Sequence, residues 1–142
     1  MLHAQKHGYD AMVLLIDHDN QRERKQELSK AQDDLRATII PRAVGVAIIT
    51  FDAWMLADEK ALTLALGAPV QRQPDPETTR DAKAQCAKLR DDCDSNLSLT
   101  ELYSQLSENI DLELLAERCS AGFRPFSERV RGMAAQVSSR LS

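Results

Sequence analysis

The stretch A11-MVLLIDHDN-20 carries six consecutive apolar residues into two aspartates one residue apart. The run Ala11–Ile16 is too short for a buried helix and is bounded by polar residues, which predicts a strand covered on both faces, as in a parallel sheet. From Asn20 to about Arg36 the composition is that of a surface helix, with Leu28, Ala31 and Leu35 forming one narrow apolar stripe. Pro41 ends it, and AVGVAIIT, residues 43–50, is a second strand of the same buried kind. Strand, helix and strand make a βαβ unit with an expected right-handed crossover. Upstream, residues 2–8 read as the tail of a helix stopped at Gly8.

After Thr50 the period changes. Trp54, Ala57, Ala61 and Ala65, with Leu62 and Leu66, recur at helical spacing until Gly67 and Pro69 break the pattern. GAPVQRQPDPE is a loop with three prolines, and beyond it only helices are expected, at about 78–92, 98–107, 111–118 and 124–138. Thr78 with Asp81, and Ser98 with Glu101, fit the reciprocal capping pattern of helix starts. The chain therefore reads as a single α/β domain over 1–142, with a βαβ-helix part over 1–67 and a helical part over 68–142. Two parallel strands do not make a stable sheet alone. Either further strands lie upstream, or another protomer completes the sheet.

With 142 residues, 43% hydrophobic and 28% charged, the chain is long and apolar enough for a core. No apolar run approaches the roughly eighteen residues of a membrane helix, and no signal-peptide layout opens the sequence. The cytosol is the default compartment, where Cys86, Cys93 and Cys119 are expected as reduced packing residues. The net charge of −4 is uneven: residues 75–117 hold eleven acids and four bases, whereas residues 118–142 hold five arginines and one glutamate. That basic end reads as the solvated side of a last helix or as a face for nucleic acid or an acidic partner.

Asp17 and Asp19 fall just beyond the C-terminal end of the first strand, where open α/β sheets bind ligands. Two carboxylates so placed can supply hard oxygens to Mg²⁺, which takes one or two carboxylates plus waters and phosphate. Read by spacing alone, they are a turn residue and a helix cap. His18 between them is expected to point away and be exposed. Asp52 follows the second strand, where it is either a neighbour of the first pair or the N-cap of the helix carrying Trp54. Asp58 is either a hydrogen-bonding support for that site or a plain surface acid, and Trp54 reads as packing. Neither a phosphate-binding glycine loop nor a nucleophile elbow is present.

Taken in order, VLLIDHDN, AIITFDAWMLAD and NIDLELLAERCSAGFRPFSERV resemble an uncharacterised bacterial family with a Toprim-like fold. Its members share a strand ending in D-x-D, a strand ending in E-x-W-x-x-x-D and a late S-F-x-x-F helical segment. Asp17 and Asp19 match the first motif, Trp54 and Asp58 the second, and Phe123 and Phe126 the third. The resemblance covers nearly the whole chain and implies a Mg²⁺- or Mn²⁺-dependent nuclease. Asp17 and Asp19 are then metal ligands, Asp52 a ligand or water-positioning base, and Trp54 and Asp58 supporting residues. It further implies nucleic acid as substrate and an ATPase partner in phage defence. The alternative is a non-catalytic module that docks on such an ATPase through its helical half. Two departures stand out: Asp52 replaces the family's longer glutamate, and the first acidic strand of a Toprim domain has no counterpart, as in a truncated gene product, a wrongly assigned start or a degenerate member.

Overall fold

A computed structural model describes residues 8–18, 22–33 and 40–142 of the chain. The order is β1 (Met12–Asp17), α1 (Arg22–Asp33), β2 (Arg42–Ala47), a 3₁₀ turn (Phe51–Leu56), α2 (Glu59–Leu66), a second 3₁₀ turn (Pro76–Thr78), α3 (Ala82–Asp92), α4 (Leu99–Asn109), α5 (Leu112–Arg118) and α6 (Phe123–Leu141). The architecture is α/β, with a two-stranded parallel sheet at the N-terminal end and a mostly helical remainder. The helix expected over residues 2–8 lies outside the described residues except for Gly8, whose φ of 72° suits a helix stop. No helix among the described residues is long and apolar enough to cross a membrane.

The two strands pair in register from Met12 opposite Arg42 to Asp17 opposite Ala47. Their surroundings differ. β2 is buried along nearly its whole length, whereas Val13, Leu14 and Leu15 of β1 are 52%, 39% and 37% exposed. The expectation that both strands are covered on both faces is therefore corrected for β1. The cause is where the described helices land: α1 and α6 pack chiefly on β2, and among the described residues no helix packs comparably on β1. An apolar run signals a need for burial without saying what supplies it.

The helices are set by identifiable caps. Ser98 and Glu101 form the expected reciprocal box, with Ser98 N donating to Glu101 Oε2 at 2.7 Å and Glu101 N to Ser98 Oγ at 3.2 Å. These hydrogen bonds hold the exposed Glu101 carboxyl below its ordinary range. At α3 the cap is Asp81 itself, accepting from Ala84 N, so the helix starts later than residue 78. The single helix expected through Trp54 to Leu66 is split by Asp58, which caps α2.

The core has three adjoining parts. Ala47, Trp54, Ala57, Leu115, Cys119 and Phe123 join the sheet to α5 and α6. Leu62, Leu66, Leu102 and Leu106 pack α2 against α4, and Ala53, Leu56, Ala82 and Cys86 pack the first 3₁₀ turn against α3. Burial pushes the Cys86 thiol up to about 11 and the Cys119 thiol up to about 12, while Cys93 is only half-buried. At pH 8 a disulfide-exchange reagent is therefore expected to titrate Cys93 alone in the folded protein, with Cys86 and Cys119 reacting only in denaturant. Rapid modification of two or three thiols in native buffer contradicts this burial pattern.

Candidate functional site

Parallel pairing brings the C-terminal ends of β1 and β2 side by side, so Asp17 lies opposite Ala47. The ladder runs one step further, with His18 N donating to Ala47 O at 2.9 Å. The chain leaving β2 then turns across the end of β1, where Phe51 N donates to Asp17 Oδ1 at 2.9 Å. The two strand ends expected to meet do meet, through the backbone next to Asp52. Asp17 is half-buried, and Arg24 of α1 reaches back to its carbonyl at 3.4 Å. His18, expected to be exposed, is half-buried because the extended ladder holds its backbone against β2. Asp19 lies outside the described residues.

Asp52 does not cap the helix that follows it. Thr50 occupies the capping position of the 3₁₀ turn, without a side-chain cap bond. The Asp52 carboxylate is buried, and its Oδ1 accepts from the Tyr103 hydroxyl of α4 at 2.6 Å. Phe51 stands edge-on to the same ring, 6.2 Å away. Burial raises the Tyr103 hydroxyl well above its usual range, and its bond to Asp52 adds to that. The same hydroxyl faces Cys86, pulling that thiol down slightly against the larger effect of burial. Asp52, Tyr103 and Cys86 thus form a polar thread through the 3₁₀ turn, α4 and α3.

Trp54 is buried, stacked on Phe126 at 6.0 Å and 22° and edge-on to Phe123 at 5.1 Å and 78°. Both ring contacts lie inside the core, so neither face is offered to a base. Its Nε1 has no hydrogen-bond partner among the described residues. Asp58 is 3% exposed and is not a surface acid. Its Oδ1 accepts from Lys60 N and Ala61 N at 3.0 and 3.1 Å, while Oδ2 accepts from Asp111 N at 2.9 Å. One carboxylate thereby ties the start of α2 to the start of α5.

Three groups outside the sequence-based site carry comparable structural weight. Buried Glu77 accepts from Ala121 N, Gly122 N and Phe123 N, filling the amide cradle at the start of α6. Arg118 is half-buried with its side chain turned inward, bonding the Ala57 and Gln73 carbonyls and lying 3.6 Å from Glu59. Arg124 and Arg129 hold the Ala116 and Val44 carbonyls, and Arg131 pairs with Glu113 at the surface. Arginines that read as a basic end are thus spent largely on backbone carbonyls and one surface pair. The Asp91–Asp94 stretch is a solvated helix end, where Lys88 and Arg90 pair with Asp92 and Asp91.

Among the described residues, which omit Asp19, no three His, Cys, Asp or Glu side chains converge in a metal-holding group. A cleft of about 170 Å³ opens between α1, β2 and the start of α6, lined by Ser29, Val46, Gly122, Phe126 and Arg129, and of the described site residues none of Asp17, Asp52, Trp54 and Asp58 lines it. Among the described residues, Asp17 is the predicted acid at the C-terminal end of the strands, whereas Asp52 and Asp58 are engaged inside the fold. No family model, curated protein or solved structure matches the chain.

Proposed function

We propose that the chain is a Toprim-like, Mg²⁺- or Mn²⁺-dependent phosphodiesterase module acting on nucleic acid, in a phage-defence setting with an ATPase partner. The observation that supports this reading is the contact of Phe51 N with Asp17 Oδ1, which places a carboxylate at the joined C-terminal ends of two parallel strands. The chain's residues fit a divalent ion in part. Asp17 uses one oxygen for the Phe51 amide, and a carboxylate so bonded still has lone pairs for a metal. With Asp19 it supplies the two carboxylates that Mg²⁺ commonly takes from protein. A bound ion polarises a phosphate and activates water. Asp52, held by Tyr103, contributes negative charge and positions the turn behind the site.

Calorimetric titration with Mg²⁺ and Mn²⁺ tests the reading. Wild-type protein is expected to bind the ion, and Asp17→Asn and Asp19→Asn are each expected to weaken binding about tenfold or more with unchanged circular dichroism. Cleavage of single-stranded or duplex nucleic acid is expected to be lost in the same variants. Equal metal affinity in wild type and both variants sinks the proposal.

A second reading, a non-catalytic module docking on a partner ATPase, is favoured by the internal engagement of Asp52, Trp54 and Asp58. In that case every position of the second signature serves packing. A stable complex with the ATPase and no metal binding selects it.

A further inference from the structure

The two edges of the sheet are finished differently. Met12 N donates to Pro41 O and His18 N to Ala47 O, both at 2.9 Å. The alternation of a strand then aims the peptide groups of residues 12, 14, 16 and 18 at β2 and those of 13, 15 and 17 at the open side. On β2 the outward groups belong to Arg42, Val44 and Val46. Gln32 Nε2 donates to Arg42 O at 3.1 Å and its Oε1 accepts from Val44 N at 2.8 Å, so one side-chain amide imitates the peptide of a neighbouring strand. Arg129 Nη1 takes Val44 O at 2.8 Å. Gly122 lies so close that a Cβ there would come within 2.9 Å of Val46 O. The β2 edge is closed. On the β1 edge, no side chain among the described residues hydrogen-bonds the backbone of Val13 or Leu15, and both side chains are apolar and exposed. Protein edges are ordinarily protected by charge, proline or a cover.

We propose that β1 pairs antiparallel with β1 of a second copy of the chain, extending the sheet to four strands. A twofold axis through an edge strand pairs it with itself in antiparallel sense, and the outward groups at 13 and 15 are self-complementary under that axis, while Arg24 Nη1 lies 3.4 Å from Asp17 O at the end of the row. With the axis at Leu14, Val13 exchanges both backbone hydrogen bonds with Leu15 of the second copy. Met12 then faces Ile16 and Leu14 faces Leu14, so apolar residues meet apolar ones across the seam. Asp17, the single charge of the strand, falls opposite Ala11, and no charge meets its own copy. In this register Val13 and Leu15 lie on the face that carries α6, because their partners Ala43 and Gly45 do. A six-residue seam is smaller than the roughly 800 Å² per partner of a standard stable interface, so a dissociation constant on the order of 10 to 100 µM is expected.

Light scattering of the full chain across concentration tests this. The mass is expected to climb from 15.9 kDa towards twice that value. Leu15→Pro removes a donor that faces only the open edge, and Val13→Lys puts a charge on the seam. Each is expected to hold the protein at monomer mass with unchanged circular dichroism, while Leu15→Ala still dimerises. Should Leu15→Pro unfold, Val13→Lys decides alone. A monomer at every concentration, or a dimer indifferent to Val13→Lys, overturns the proposal. A monomer whose Val13 and Leu15 amides exchange slowly assigns the edge to another segment and overturns it equally.

Discussion

Glu77→Ala is expected to lower the free energy of unfolding by about 3 kcal/mol, near 10 °C in melting temperature for a domain of this size. The start of α6 presents amides that no helical carbonyl can satisfy. Glu77 Oε2 takes Ala121 N at 2.9 Å, and Oε1 takes Gly122 N at 2.8 Å and Phe123 N at 3.4 Å. The carboxylate also places negative charge at a helix N-terminus, where the dipole favours it. Glycine at 122 is needed for this approach, since a Cβ there would fall 2.7 Å from Glu77 Oε1. Glu77→Gln keeps the volume but turns an NH₂ group towards an amide donor, so an intermediate loss is expected. Urea unfolding provides the measurement, with the midpoint shifting at constant slope. A Glu77→Ala protein within about 1 kcal/mol of wild type shows that water replaces the carboxylate at little cost, and the anchoring role then fails.

The difference between Glu77 and Ser98 shows what sequence can and cannot disclose. Ser98 and Glu101 are three residues apart, a spacing with one local structural meaning, and they form the expected box. Glu77 finds its donors 44 to 46 residues later, and Asp52 finds Tyr103 after 51 residues. No periodicity links such pairs, because the fold brings them together. The strands were legible as apolar runs, and the meeting of their ends follows from parallel pairing. The coverage of β1 was not legible, since it depends on which strand α1 and α6 choose. Asp58 read as an acid more than a turn along a continuous helix, and its place as the N-cap of α2 was not legible. Its second bond, to Asp111 N, required the helical half to be placed first. For the candidate site, the sequence pointed to the strand ends and to Asp17, but it could not reveal that Asp52 turns towards α4.

Gly45→Ala is expected to destabilise the protein by about 2 to 3 kcal/mol, against the usual gain when glycine is replaced at an unstrained position. Gly45 is the point where α6 crosses the sheet. A Cβ built there would fall 2.6 Å from Phe126 Cγ. The ring has little freedom to retreat, because its other side stacks on buried Trp54 at 6.0 Å. Moving α6 instead strains the bond from Arg129 to Val44 O, and with it the closure of the β2 edge. A smaller residue at 126 relieves the clash directly. Phe126→Leu is expected to cost about 1 kcal/mol alone. In the double variant it is expected to recover a comparable amount, giving a coupling energy of about 1 kcal/mol or more in a double-mutant cycle. Additive losses indicate that α6 can shift as a unit, so that the close seat of Phe126 on Gly45 does not determine where the helix lies.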